Sequence, residues 1–168
     1  MKTYSSLLFA AVLFAGGCQS TPNNATPADT GNVTVNFQDS DRFTDARDTA
    51  NGPTSQSYLD ELSKYLKEIT AKRLATGQKL TVTFTDIDLA GDIRPGSLND
   101  VRIMKDIYIP RMALHFQLVD ASGAIIKEGD RHLTDLNYQQ NINPVRQNEP
   151  LQYDKILLED WVKKEFAQ

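Results

Sequence analysis

The sequence predicts an α+β domain: a mainly antiparallel sheet of four to five strands with two helices packed on one face, preceded by a signal peptide and a disordered tether. Three observations carry this expectation. Apolar and polar residues alternate over several stretches in the middle of the chain, as in half-buried strands. Two other stretches repeat apolar residues at helical spacing. The strands follow one another directly and the helices stand apart, which is the order of an α+β fold rather than of repeated βα units. The length of 168 residues, with 40% hydrophobic and 24% charged, is that of one ordinary domain.

The N-terminal segment reads as an address. Lys2 precedes an unbroken apolar run from Leu7 to Phe14. That run is too short for a membrane-spanning helix, which needs ~20 apolar residues, and has the length and flanks of a secretory signal. Ala15-Gly16-Gly17-Cys18 then resembles the bacterial lipobox. That resemblance implies lipid attachment at Cys18, with residues 1–17 removed as a signal peptide. Ala15 stands where Leu is commoner, and the alternative is a cleaved soluble periplasmic protein with an incidental cysteine. Gln19 follows where inner-membrane retention favours Asp, so the expected location is the periplasmic face of the outer membrane, with the partner there being the membrane itself through N-terminal acyl chains. Two or more acyl chains hold a protein firmly where one holds it marginally. Residues 18–32 carry no large apolar side chain and read as a flexible tether, with a coil-like reach of about 20 Å. A single periplasmic domain is expected over residues 33–168.

Within it, Val33, Val35 and Phe37 alternate with polar residues and form a short strand. Residues 38–57 are polar, with a turn at Asn51-Gly52-Pro53. A helix should begin at Ser57, with Asp60 completing a capping box, and run through Tyr58, Leu62, Tyr65, Leu66 and Ile69 to a stop at Gly77. Leu80, Val82 and Phe84 alternate with threonines in a second strand, after which the apolar set changes parity to Ile87 and Leu89. A β-bulge near Thr85 would return the apolar set to one face. The alternative is a strand end from which Asp86 and Asp88 project together. Residues 90–99 read as loop. A short strand through Val101, Ile103, Ile107 and Ile109, an irregularity at or before Pro110, and a long strand through Met112, Leu114, Phe116 and Leu118 follow. Asp120-Ala-Ser-Gly123 is a hairpin turn, and residues 124–133 return as its partner, with a bulge expected at Gly129. After a polar loop, Tyr153, Ile156, Leu157, Trp161 and Val162 mark a closing helix.

The residue inventory excludes several chemistries. One cysteine rules out a disulfide within the chain, two histidines rule out a three-histidine metal site, and a net charge of −4 lacks the basic excess of a nucleic-acid binder. No cofactor is expected: there is no Gly-rich phosphate loop and no G-x-S-x-G elbow. The Asp86-x-Asp88 pair is similar to the phosphatase D-x-D, but Ala90 stands where Thr or Val is wanted, and that motif belongs on a parallel sheet of βαβ units. Asp86, Asp88 and Asp92 offer oxygen donors for calcium or magnesium but fail the EF-hand spacing. His115 and His132, with Asp130 or Asp135, are a conceivable two-histidine site. The densest charges around the central strands are Asp86, Asp88, Arg102, Lys105, Asp106 and Arg111, with Arg131 nearby. They form a candidate recognition patch, or else an ion-paired sheet face in which each exposed pair contributes under ~1 kcal/mol.

The segments LTVTFTDIDLAGD, DVRIMKDIYIPRMAL and GDRHLTDLNY resemble a family of uncharacterised Gram-negative envelope proteins, often lipoproteins, that share a domain of unknown function. The resemblance spans most of residues 33–166, with TDIDLAG and KDIY-x-PR as its specific marks. It implies a periplasmic α+β domain and supplies no activity, cofactor or catalytic residue. The expectation for function is therefore a non-enzymatic binding or adaptor module of the cell envelope, whose partner is another envelope protein or a peptide. A small-ligand or divalent-cation binder using the Asp86/Asp88 region is the alternative, and a cryptic hydrolase the second.

Overall fold

The computed structural model describes residues 31–95, 100–141 and 149–167. The expected signal peptide, Cys18 and all of the tether before residue 31 lie outside the described residues. The elements are β1 (Val33–Phe37), α1 (Gln56–Ala71), β2 (Lys79–Asp88), β3 (Asp92–Ile93), β4 (Arg102–Ile103), β5 (Arg111–Val119), β6 (Ile125–Thr134) and α2 (Gln152–Glu165). Four strands form one sheet in the order β1-β2-β5-β6, and β3 and β4 pair separately as a two-stranded sheet. The β2-β5 and β5-β6 pairs are antiparallel and β1-β2 is parallel. The α+β class with two helices on a mainly antiparallel sheet is thus the observed one. One βαβ unit is present nonetheless, because parallel neighbours need a crossover and α1 supplies it. No helix among the described residues is long and apolar enough to cross a membrane.

The core lies between one face of this sheet and the two helices. Leu80, Val82, Phe84 and Ile87 of β2 and Met112, Leu114, Phe116 and Leu118 of β5 meet Leu59, Leu62 and Leu66 of α1 and Leu158, Trp161 and Val162 of α2. Phe116 takes the rings of Trp161 and Phe166 edge-on, each with centroids 5.8 Å away, the arrangement that aromatic quadrupoles favour. The parity change in β2 is repaired by a bulge: pairing steps from Phe84–Leu114 to Asp86–Ala113. Thr85 is the extra residue, so Ile87 returns to the core and Asp86 and Asp88 turn away from it.

Local expectations fail where a side chain finds a distant partner. α1 begins at Gln56, not Ser57, with Ser55 in the cap position. The Ser55 hydroxyl donates to Asp48, 2.9 Å away, and Asp60 accepts from Gln56, so no capping box forms. The helix ends at Ala71, where the last turn tightens into an Arg73 N–H to Thr70 carbonyl bond. Gly77 instead serves the turn into β2, at φ +84°, where a Cβ would come 2.8 Å from Ala121. The irregularity in β6 falls between its pairings with Leu118 and Val119, leaving Ile126 unpaired, and not at Gly129, which pairs in register with Phe116. Gly129 leaves room: Arg131 reaches past it to lie 4.9 Å over the Phe116 ring, and a Cβ there would meet its guanidinium at 2.9 Å. The strand expected through Ile109 shrinks to Arg102–Ile103, because its partner is two-residue β3 rather than the main sheet.

Candidate functional site

The sheet has two unlike ends. Val33, where the chain enters, pairs with Leu80, and the 120–123 hairpin turn closes the same end. Asp88 pairs with Arg111 at the other, which the rise of a β-strand places roughly 26 Å away. α2 runs between them, its first turn against Ala90 and its last against Lys127 and Arg131.

The far end carries a cleft of about 380 Å³, open on one side, lined by residues 44–50, the end of β2, Gly91–Ile93 and Ile107–Arg111. The segment after Phe43 rejoins the edge of β2 there: Asp45 N–H donates to the Ile87 carbonyl and Leu89 N–H to the Asp45 carbonyl, both at 2.9 Å. Asp86 fastens this segment, accepting from the Thr44 amide at 2.7 Å and the Thr44 hydroxyl at 2.8 Å. Arg102 lies behind it with its side chain 12% exposed. It grips both Asp45 oxygens at 2.8 and 3.2 Å and donates to the carbonyls of Gly91 and Arg47 at 3.1 and 2.8 Å. Four such bonds tie three separate stretches of chain together. On the cleft wall, Arg111 donates to Asp88 at 2.9 Å. Burial pushes the Asp88 carboxyl above the usual carboxylate range, against the opposing pull of Arg111.

A second carboxyl stands deeper. Asp154, in the first turn of α2, is buried and accepts the Ala90 amide at 3.0 Å. Burial raises its pKa to about 7, against the Ala90 hydrogen bond and the charge of Arg102, which pull it down. Its neighbour Lys155 is also buried, but on the other side, where it pairs with Glu61 at 2.6 Å and Glu149 at 3.2 Å.

The six residues of the expected patch do not form one face. Asp88 and Arg111 line the cleft. Asp86 and Arg102 are engaged as internal fasteners. Lys105 and Asp106 lie on the loop before β5, where the Lys105 carbonyl accepts the Tyr138 hydroxyl at 2.9 Å and Asp106 borders a hollow with Leu136 and Tyr138. His115 Nδ1 lies 2.8 Å from Asp130 on the open sheet face, and His132 sits diagonally from it, opposite Ala113. Asp135 instead accepts from Asn137 and Asn141. Arg131 holds Glu165 with two bonds, at 2.7 and 2.8 Å. Among the described residues no three His, Cys, Asp or Glu side chains are placed to hold a metal ion. Sequence reasoning missed Asp45, Arg47 and Tyr108. The first two fall in a polar stretch without periodicity, and no local pattern marks any of them as converging.

Comparison with known proteins gives a family and little else. No functionally curated protein matches the chain. A PelC dodecamer from Paraburkholderia phytofirmans is similar with a TM-score of 0.38 and 11% identity, over 82% of this chain and 87% of that one. A minor lipoprotein from Acinetobacter baumannii is similar with a TM-score of 0.30 and 14% identity, over 82% of this chain and 90% of that one. The family model matches residues 31–164, nearly the whole folded part, and the chain therefore belongs to the family described as protein of unknown function DUF3016.

Proposed function

We propose that this protein is a lipid-anchored, non-enzymatic binding or adaptor module, held through acylated Cys18 to the periplasmic face of the outer membrane. The observation that carries the reading is the position of the cleft, at the end of the sheet remote from Val33, where the tethered segment enters. A domain hung by that end presents its cleft away from the lipid, toward other envelope components. The cleft lining supports binding more than catalysis: among the described residues no Ser, His or Cys lines it, and its Asp45 and Asp88 carboxylates are paired with arginines. The test is crosslinking in a Gram-negative host expressing the full chain with a C-terminal tag, beside a Cys18→Ala control. A reproducible partner lost in the control is the expected outcome. A protein that fractionates with the soluble periplasm and brings nothing with it would overturn the reading.

A further inference from the structure

The cleft is unsaturated. Among the described residues, the Arg47 guanidinium donates only through Nη2, to the Thr44 carbonyl at 3.2 Å, and the Arg111 guanidinium only through Nη1, to Asp88. Each guanidinium therefore keeps free N–H groups of its planar fork, which suits a carboxylate. The Asp92 carboxylate and the Tyr108 hydroxyl also line the cleft, half-buried, and make no hydrogen bond among the described residues. Arg47, Arg111 and the underlying Arg102 balance Asp45, Asp88 and Asp92 in charge. A lining of balanced sign gives no net attraction to a polyanion or a bare dication and matches a ligand that carries both signs within a short span. The cleft has an apolar edge in Ile107, which lines it and is 73% exposed. The cavity falls in the range of about 300–1,000 Å³ that takes small ligands or a few residues of a larger one.

Resting on the adaptor reading above, we propose that this cleft docks an extended peptide segment of another envelope protein. A carboxylate of that segment lies on the free edges of Arg47 and Arg111, an amide or basic group meets Asp92 and Tyr108, and an adjacent aliphatic side chain covers Ile107. A peptide fits better than a bilayer. Asp100 and Asp106 adjoin Val101 and Ile107 in the chain, carboxylates that an anionic lipid surface repels and hydrocarbon excludes, and the cleft stands at the end of the sheet remote from the tether.

The experiment places a photoreactive amino acid at Ile107 in the full-length lipidated chain, and separately at Thr81 on the open sheet face, and maps the adducts by mass spectrometry. The expected result is one peptide site crosslinked from Ile107, with Asp, Glu or a chain terminus within about three residues of the adduct. Asp92→Asn, which removes no side-chain bond among the described residues, and Arg111→Gln should each lower that adduct at least tenfold. Melting temperatures of both variants identify any loss that is only unfolding. Lipid adducts from Ile107 would overturn the proposal in favour of membrane contact, as would an adduct indifferent to both substitutions. A partner crosslinked only from Thr81 would overturn this surface and leave the adaptor reading standing. No adduct from either position would overturn both.

Discussion

The two ends of the sheet are closed by different means. At the end where β1 enters, regular secondary structure does most of the closing. β5 and β6 join through a tight hairpin turn in which Asp120 accepts the Ser122 and Ala124 amides, and Glu165 at the end of α2 is clamped by Arg131 and Lys127 over the Phe116, Trp161 and Phe166 rings. At the cleft end the backbone is mostly loop, and long-range side-chain bonds take over: Asp86 to Thr44, Arg102 to Asp45 and Arg47, Asp154 to Ala90. Loops positioned by a rigid scaffold are where binding groups are commonly found. The contrast is in how the chain is held, by regular elements at one end and by side-chain bonds between irregular segments at the other.

The carboxyls at the two ends of α2 make this contrast measurable, since they titrate with opposite sign. Asp154 is raised from 3.8 to about 7 by burial. Its contribution is fully present below pH 4 and is lost as pH rises toward 7, a decline on the order of 4 kcal/mol. Asp154→Asn keeps an acceptor for the Ala90 amide and removes the titration. Urea unfolding from pH 4 to 8 should therefore show a flattened profile, with the variant more stable than the parent at pH 8. A variant that keeps the wild-type slope would refute the assignment.

Arg102→Ala should rank next. It strands a partly buried Asp45 carboxylate and frees two carbonyls, at a cost of about 3 kcal/mol. Hydrogen exchange should accelerate at Thr44 to Arg47 and Gly91 to Ile93 well before it does in the Phe116 strand; uniform acceleration would show that the two ends are not separable. Glu165→Gln should cost about 1 kcal/mol near neutrality. The Arg131 hydrogen bonds, with help from Lys127, hold Glu165 down to about 2 from 4.5, so its contribution is present above pH 4.5 and is lost as pH falls toward 2. An acid titration in which parent and variant lose stability in parallel would remove that clamp from the account. The smallest effect is expected of Ile107→Ser, within about 0.5 kcal/mol of the parent because the side chain is exposed. A larger loss by thermal melting would mean that Ile107 packs within the fold and is not a free apolar edge.

Much of the fold was legible because its patterns are local. The bulge at Thr85 follows from the shift of the apolar set between Phe84 and Ile87, and the register of β5 from Met112, Leu114, Phe116 and Leu118. The start of α1 was misplaced because Ser57 satisfies a local capping rule, whereas Ser55 is held by Asp48, seven residues away. The expected patch misled for the same reason. Charge density along the chain marked Asp86 and Arg102 but did not reveal that Thr44 and Asp45 would engage them.

By itself, the sequence determined periodicity, turn positions and the class of fold, since a two-residue or helical repeat forces a buried face wherever the chain goes. Tertiary structure alone decided that β1 pairs parallel to β2, that Asp154 is buried while Asp86 fastens Thr44, and that Arg47, Asp92, Tyr108 and Arg111 share one cleft. Those outcomes depend on contacts between residues tens of positions apart, and no local preference encodes which distant partner a polar side chain will meet.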